Sequence, residues 1–172
     1  SLLKVITNYT MQTTKIKQTI PLEPSELNNV VDSIREKILA GKTCDSRHGY
    51  IIGIQSAKVK EKAEITSQGH NTLNFEVEYD ALTVLPKRDL VLDCQVAFTH
   101  DGSIMATFQQ IFSIVIPAAS MKTDEWVYNS SQELYTHPTI DKTIQSGDSA
   151  KVVITRSQFT DGDFNCYGRL YR

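Results

Sequence analysis

TLNFEVEYDALTVLPKRDLVLDCQVAF, residues 72–98, is the stretch whose reading divides the chain. Leu73, Phe75, Val77, Tyr79 and Ala81 fall on one face and Thr72, Asn74, Glu76, Glu78 and Asp80 on the other. Alternation of this kind with β-forming residues predicts a half-buried strand. The phase slips at Leu82, and the run ends at Pro86, which has no N–H to give to a ladder. Lys87-Arg88-Asp89 is a polar break, after which Leu90, Leu92, Cys94, Val96 and Phe98 alternate again. Two strands in line with a joint at Pro86 to Asp89 predict two small domains, residues 1–86 and 87–172.

Outward from this stretch, Lys15 to Ile20 alternates as a strand, and Pro21 and Pro24 mark a turn. Residues 25–40 predict a helix, with Ser25 as its cap and Glu26 in the first turn, where the helix dipole favours an anion. Leu27, Val30, Val31, Ile34 and Ile38 form its apolar stripe, Lys37 lies in its last turn, and Gly41 stops it. Gly49 and Gly53 flank a strand through Tyr50, Ile51 and Ile52, where glycine signals a bulge or a close backbone approach. Residues 57–71, rich in Lys and Glu, read as a polar loop or hairpin tip. Beyond the joint, turn signals at His100-Asp101-Gly102-Ser103, Gln109-Gln110 and Thr160-Asp161-Gly162-Asp163 separate short strands. Residues 118–147 have no sustained period and are long for a connection, so they read as a functional insertion or a partly mobile segment. Five strands with a long link between the third and fourth predict an OB-type barrel. The expected class is α+β: an antiparallel sheet with one helix, then the barrel.

The net charge is −2, with ten basic and ten acidic residues up to Pro86 and eight basic and ten acidic after it. Neither half is a polycation, so nucleic-acid binding would rest on a few local charges and on stacking. Cys44, Cys94 and Cys166 are far apart and odd in number, which suits reduced thiols of an intracellular protein. His48, His70, His100 and His137 have no metal-ligand spacing, and no nucleophile elbow, P-loop or dinucleotide fingerprint occurs, so no metal, cofactor or catalytic set is expected. No run is long and apolar enough to predict a membrane span. The signals that remain concern binding. Lys151, Arg156, Arg169 and Arg172 interleave with Phe108, Phe112, Phe159, Tyr167 and Tyr171, which either form a surface that stacks bases and holds phosphates or, for most of the aromatics, fill a small barrel. Of these, Phe108, Lys151, Arg156 and Arg169 are the candidate RNA-binding residues.

Four segments together resemble a known family. They are Ile20-Pro21-Leu22-Glu23-Pro24 before the helix, Gly41-Lys42-Thr43-Cys44 with Arg47 to Ile54, Phe75 to Arg88, and Gly147-Asp148 with Ala150-Lys151-Val152 and Gly168-Arg169-Leu170. In this order they resemble subunit seven of eukaryotic RNA polymerase II, with its archaeal and viral counterparts. The resemblance implies an RNP-like tip domain and an OB barrel in a non-catalytic stalk subunit. It implies docking on the polymerase core, pairing with a helical subunit-four partner, and contact with nascent RNA. Location would be nuclear in a cell, or a viral factory or virion for a homologue from a large DNA virus. The tip would dock through Gly49, Tyr50, Lys58, Lys60, Lys62 and Gly69. The sequence departs from the family where Gly102 is followed by Ser103, Ile104 and Met105 instead of a nearby aromatic. The alternative function is a free-standing OB protein that binds single-stranded nucleic acid.

Overall fold

The computed structural model describes residues 12–40, 44–65 and 72–171. The chain divides into two compact units, Ser1–Leu85 and Pro86–Arg172.

In the first unit, β1 (Gln12–Leu22), β2 (Cys44–Asp45), β3 (Gly49–Ile65) and β4 (Leu73–Val84) form an antiparallel sheet in the order β1-β4-β3-β2. The first part of the stretch that opened the reading is thus β4, an inner strand paired with β1 and β3. Its burial alternates through Val77, Tyr79, Ala81 and Thr83, so the phase changes at Val84 and not at Leu82. Thr83 tolerates the interior because its hydroxyl donates to the Gln12 carbonyl (3.3 Å) and lies 3.2 Å from the Thr14 hydroxyl. Tyr79 is likewise satisfied, donating to Gln18 Oε1 at 2.8 Å. The helix begins differently than expected, as a 3-10 turn that becomes an α-helix only at Val30. Pro24–Asn29 is a 3-10 turn entered from Glu23, whose N–H is held by Glu26 Oε1 at 3.1 Å, and Ser25 is not the cap. Asn29 then opens α1 (Val30–Ala40), exchanging hydrogen bonds with Asp32. Leu27, Val30, Ile34 and Ile38 pack with Ile20, Leu22, Ile51, Val77, Tyr79 and Ala81, while Val31 faces out. Lys37 reaches back to the Pro21 carbonyl (2.6 Å) and to Glu26 (3.1 Å).

Strand β3 corrects the reading of residues 57–71 as a loop. It continues to Ile65, with Lys58 opposite Glu78 on β4. Opposite charges across a ladder support pairing, so the charge run begins on a strand and not in a loop. Register shifts at Ile51/Gly53, Ile54/Ser56 and Val59/Ala63 take up its extra residues, and Gly53 sits at the first.

In the second unit, β5 (Val91–Thr99), β6 (Ser103–Phe108), β7 (Phe112–Pro117), β11 (Ser149–Thr160) and β12 (Asp163–Leu170) close a barrel. Its circuit is β5-β6-β7-β12-β11 and back to β5, antiparallel except for the parallel β12–β7 pair. This is the expected OB-type five-stranded barrel. Leu92, Cys94, Val96, Ile104, Ala106, Phe108, Ile114, Ile116, Val152, Ile154 and Cys166 are buried. Gly168 lets β12 pass close to its neighbours, because a Cβ there would stand 2.7 Å from the Val153 carbonyl and 2.9 Å from Ile114. The polar break is pinned to the barrel: Asp89, with φ 72°, donates its N–H to the Ile154 carbonyl at 2.8 Å. Residues 118–147 are ordered in short pieces. They form α2 (Ala118–Thr123) and a small sheet of β8 (Val127–Asn129), β9 (Leu134–Thr136) and β10 (Thr143–Ile144), seated by the buried Met121 and Tyr135.

Candidate nucleic-acid interface

The outer face of the barrel carries a row that crosses all five strands. Arg156 on β11 pairs with Tyr167 on β12, and Tyr167 with Val115 on β7. Val115 pairs with Met105 on β6, and Met105 with Phe98 on β5. Cross-strand partners share a face of a sheet, so these five side chains line up outside the barrel. Phe98 is 46% exposed and Tyr167 40%. The Arg156 guanidinium lies 5.6 Å from the centre of the Tyr167 ring, within cation–π range. His100 stands edge-on to Phe98 at 6.5 Å, in the turn between β5 and β6. Beyond Arg156, Phe159 and Phe164 pair edge-to-face at 5.0 Å beside the β11–β12 turn.

Two of these residues are placed against expectation. Phe98 was expected on the inner face with Val96. A register shift between Val96 and Phe98 inserts Ala97 and turns the ring outward. Phe108 was expected to meet RNA. It is fully buried, packed against Phe112 at 5.5 Å between ring centres, so no base can stack on it. Arg156 is exposed and in the row. Arg169, half-buried on β12, leans on the Leu170 carbonyl (3.4 Å). Lys151 is exposed at the other end of β11, its ammonium 5.6 Å from the centre of the Tyr171 ring. Charge along the row is sparse. Acidic side chains occupy the flanking turns, Asp101 at one end and Asp161 and Asp163 at the other.

The expected docking residues fare unevenly. Tyr50 is only 5% exposed and belongs to the core, which removes it as a surface contact. Gly49 does allow a close approach, but the approaching backbone is the chain's own. With φ +78°, its Cβ would fall 2.1 Å from the Val84 carbonyl oxygen. Lys58 is exposed. Gly69 and the side chains of Lys60 and Lys62 lie outside the described residues.

Burial pushes the Cys94 thiol up to about 12, with the charge of Asp93 adding to it, and burial also raises Cys166. Such thiols are poor nucleophiles at neutral pH. Among the described residues no three His, Cys, Asp or Glu side chains gather as a metal site. No described helix is long and apolar enough to cross a membrane.

No family model matches the chain. No curated protein matches it. A solved structure, the apo form of Mycoplasma genitalium RNase R, is similar over 49% of this chain with 10% sequence identity and a TM-score of 0.41. The similar part spans 13% of that RNase R chain.

Proposed function

We propose that this protein is a non-catalytic, single-stranded RNA-binding subunit of a multisubunit DNA-dependent RNA polymerase. The observation that carries RNA binding is the row Arg156, Tyr167, Val115, Met105 and Phe98. Its middle members, Met105 and Val115, lie on the second and third barrel strands, the face on which OB folds take oligonucleotides. Its rings and apolar side chains offer stacking surfaces, and Arg156 one phosphate or base contact. Flanking aspartates limit the phosphate contribution. Each single-strand phosphate contact adds about 0.7 to the salt slope, so a slope near one is expected.

The polymerase assignment is supported by the four sequence segments in family order and by a sheet-and-helix unit followed by an OB barrel. Under this reading the chain docks on the core subunits, pairs with a helical subunit-four-like protein, and meets nascent RNA. Among the described residues of the expected docking set, Lys58 is the exposed one. The second reading, a free-standing single-strand binder, uses the same row without the polymerase. Affinity purification at native expression with mass spectrometry separates the two. Recovery of the large polymerase subunits supports the stalk reading, and a monodisperse protein that binds RNA alone supports the other. RNA binding itself is tested by anisotropy of a labelled oligonucleotide with Tyr167→Ala. Unchanged affinity would remove the row from the RNA path.

A further inference from the structure

A concave site lies in the barrel unit, away from the row's centre. Residues 123–126 and 137–144 face the start of β11 and the end of β12 across a cavity of about 810 Å³. That volume is within the range of small-ligand sites, about 300–1,000 Å³. Two aromatic rings belong to its lining, Trp126 from the 118–147 segment and Tyr171, 54% exposed, after β12. Trp126 is fixed. Its backbone N–H donates to the Met121 carbonyl (3.0 Å), and His137 stands edge-on to its ring at 5.2 Å. His137 is fixed in turn, because Nδ1 accepts from the N–H groups of Thr139 and Ile140, each at 3.2 Å. In the neutral ring this leaves the proton on Nε2, a donor. Lys142 and Lys151 are the cations of the lining, and Asp124 and Glu125 are its carboxylates, Glu125 accepting from the Thr139 hydroxyl at 3.3 Å.

We propose that this cavity binds a nucleotide unit, its base against Trp126 and Tyr171 and its phosphate between Lys142 and Lys151. Three features favour a ligand that carries both a flat ring and a phosphate. Flat rings from two separate segments of the lining, Trp126 and Tyr171, suit a base. Lys151, its ammonium 5.6 Å from the centre of the Tyr171 ring, puts a cation beside that ring, where the phosphate of a stacked base would lie. A purely apolar guest would strip water from Lys142, Lys151 and the hydroxyls of Thr143 and Ser149 without replacing it. The nucleotide can be free or can be the end of a strand. The site does not require RNA on the row, so the inference stands or falls separately from the proposed function.

Trp126 is the only tryptophan in the chain, so its emission reports this cavity directly. The full-length protein is titrated with 5′-AMP, with inorganic phosphate, and with a 5′-phosphorylated octanucleotide. Saturable quenching by AMP but not by phosphate is expected, with Kd raised at least tenfold in Lys142→Ala/Lys151→Ala. Both lysines are exposed, and circular dichroism verifies that the variant folds. Tighter quenching by the octanucleotide than by AMP assigns the site to a strand end, and equal or weaker quenching assigns it to a free nucleotide. Tyr167→Ala leaves the AMP titration unchanged even if it abolishes oligonucleotide anisotropy. Absence of saturable quenching by either ligand, or quenching indifferent to the double lysine variant, overturns the proposal.

Discussion

The hydroxyl of Tyr135 donates to the backbone carbonyl of His100 at 2.5 Å and also reaches the Asp101 carbonyl at 3.2 Å. A side chain of the small sheet thereby holds the turn that presents His100 beside Phe98. Thr99 adds to the hold, donating to the Glu133 carbonyl at 2.6 Å. Residues 118–147 therefore act on the candidate RNA face without lying on it. Removing one partner of a buried hydrogen bond costs about 1–3 kcal/mol. Tyr135→Phe is expected to lower stability by about that much, to speed amide exchange around residues 99–103, and to weaken oligonucleotide binding. Unaltered exchange there would show that the turn is held by other contacts.

The same contact predicts a pH dependence. Burial raises the Tyr135 pKa first, with the charge of Asp101 and the Tyr128 neighbour adding to it. A raised pKa in the folded state means the contribution is complete below the ordinary tyrosine value, about 10. It is lost as pH rises from there through the folded value, because a phenolate cannot donate. Wild type should lose stability over Tyr135→Phe in that alkaline window, and the two curves should converge. Parallel curves would refute the assignment.

Phe98 and Phe108 differ by ten positions and should differ in kind. Phe98→Ala removes an exposed ring, so stability should change little, while a lost stack weakens RNA binding by about 1–3 kcal/mol. Phe108→Ala opens the barrel interior and should cost about 3–5 kcal/mol of stability. Chemical denaturation and oligonucleotide anisotropy on both variants separate the roles. Weakened binding by a fully folded Phe108→Ala protein would contradict the burial seen here.

How much of this was legible in sequence depends on where the information resides. The alternation of β4, the helix stripe through Ile34 and Ile38, and the turns at Gly102 and Gly162 are local patterns, and each was read from neighbours in the chain. Thr83 was not, because its inward position depends on a hydroxyl partner 69 residues away at Thr14. Phe98 was misplaced because one bulge reverses all later parity, and nothing near Ala97 announces it. Strand β3 was cut short because Lys58 looks solvated until Glu78 is set opposite. β8, β9 and β10 are two or three residues long, too short for a period. Arg156 could be named from composition. The row could not, since its five members come from five strands and only register brings them together.

Gly49 gives the sharpest test of the first unit. Alanine there must adopt φ +78°, which favours glycine, and must also place its Cβ 2.1 Å from the Val84 carbonyl oxygen. The obstacle is backbone of β4, so it cannot move aside as a flexible side chain would. Strain of a left-handed backbone alone costs about 1–3 kcal/mol, and the overlap adds to it. Gly49→Ala should therefore destabilise by more than 2 kcal/mol in urea unfolding, roughly the upper part of that range. Gly102→Ala is the control, since a Cβ there meets nothing within 4 Å and no left-handed φ is needed. Its stability should stay within about 0.5 kcal/mol of wild type. If docking on a polymerase runs through this unit, Gly49→Ala should reduce co-purification of the large subunits in proportion to the unfolded fraction. Lys58→Glu should reduce it while the protein stays folded. Loss in the first variant alone would mean that the fold of this unit matters to docking and that the Lys58 surface does not.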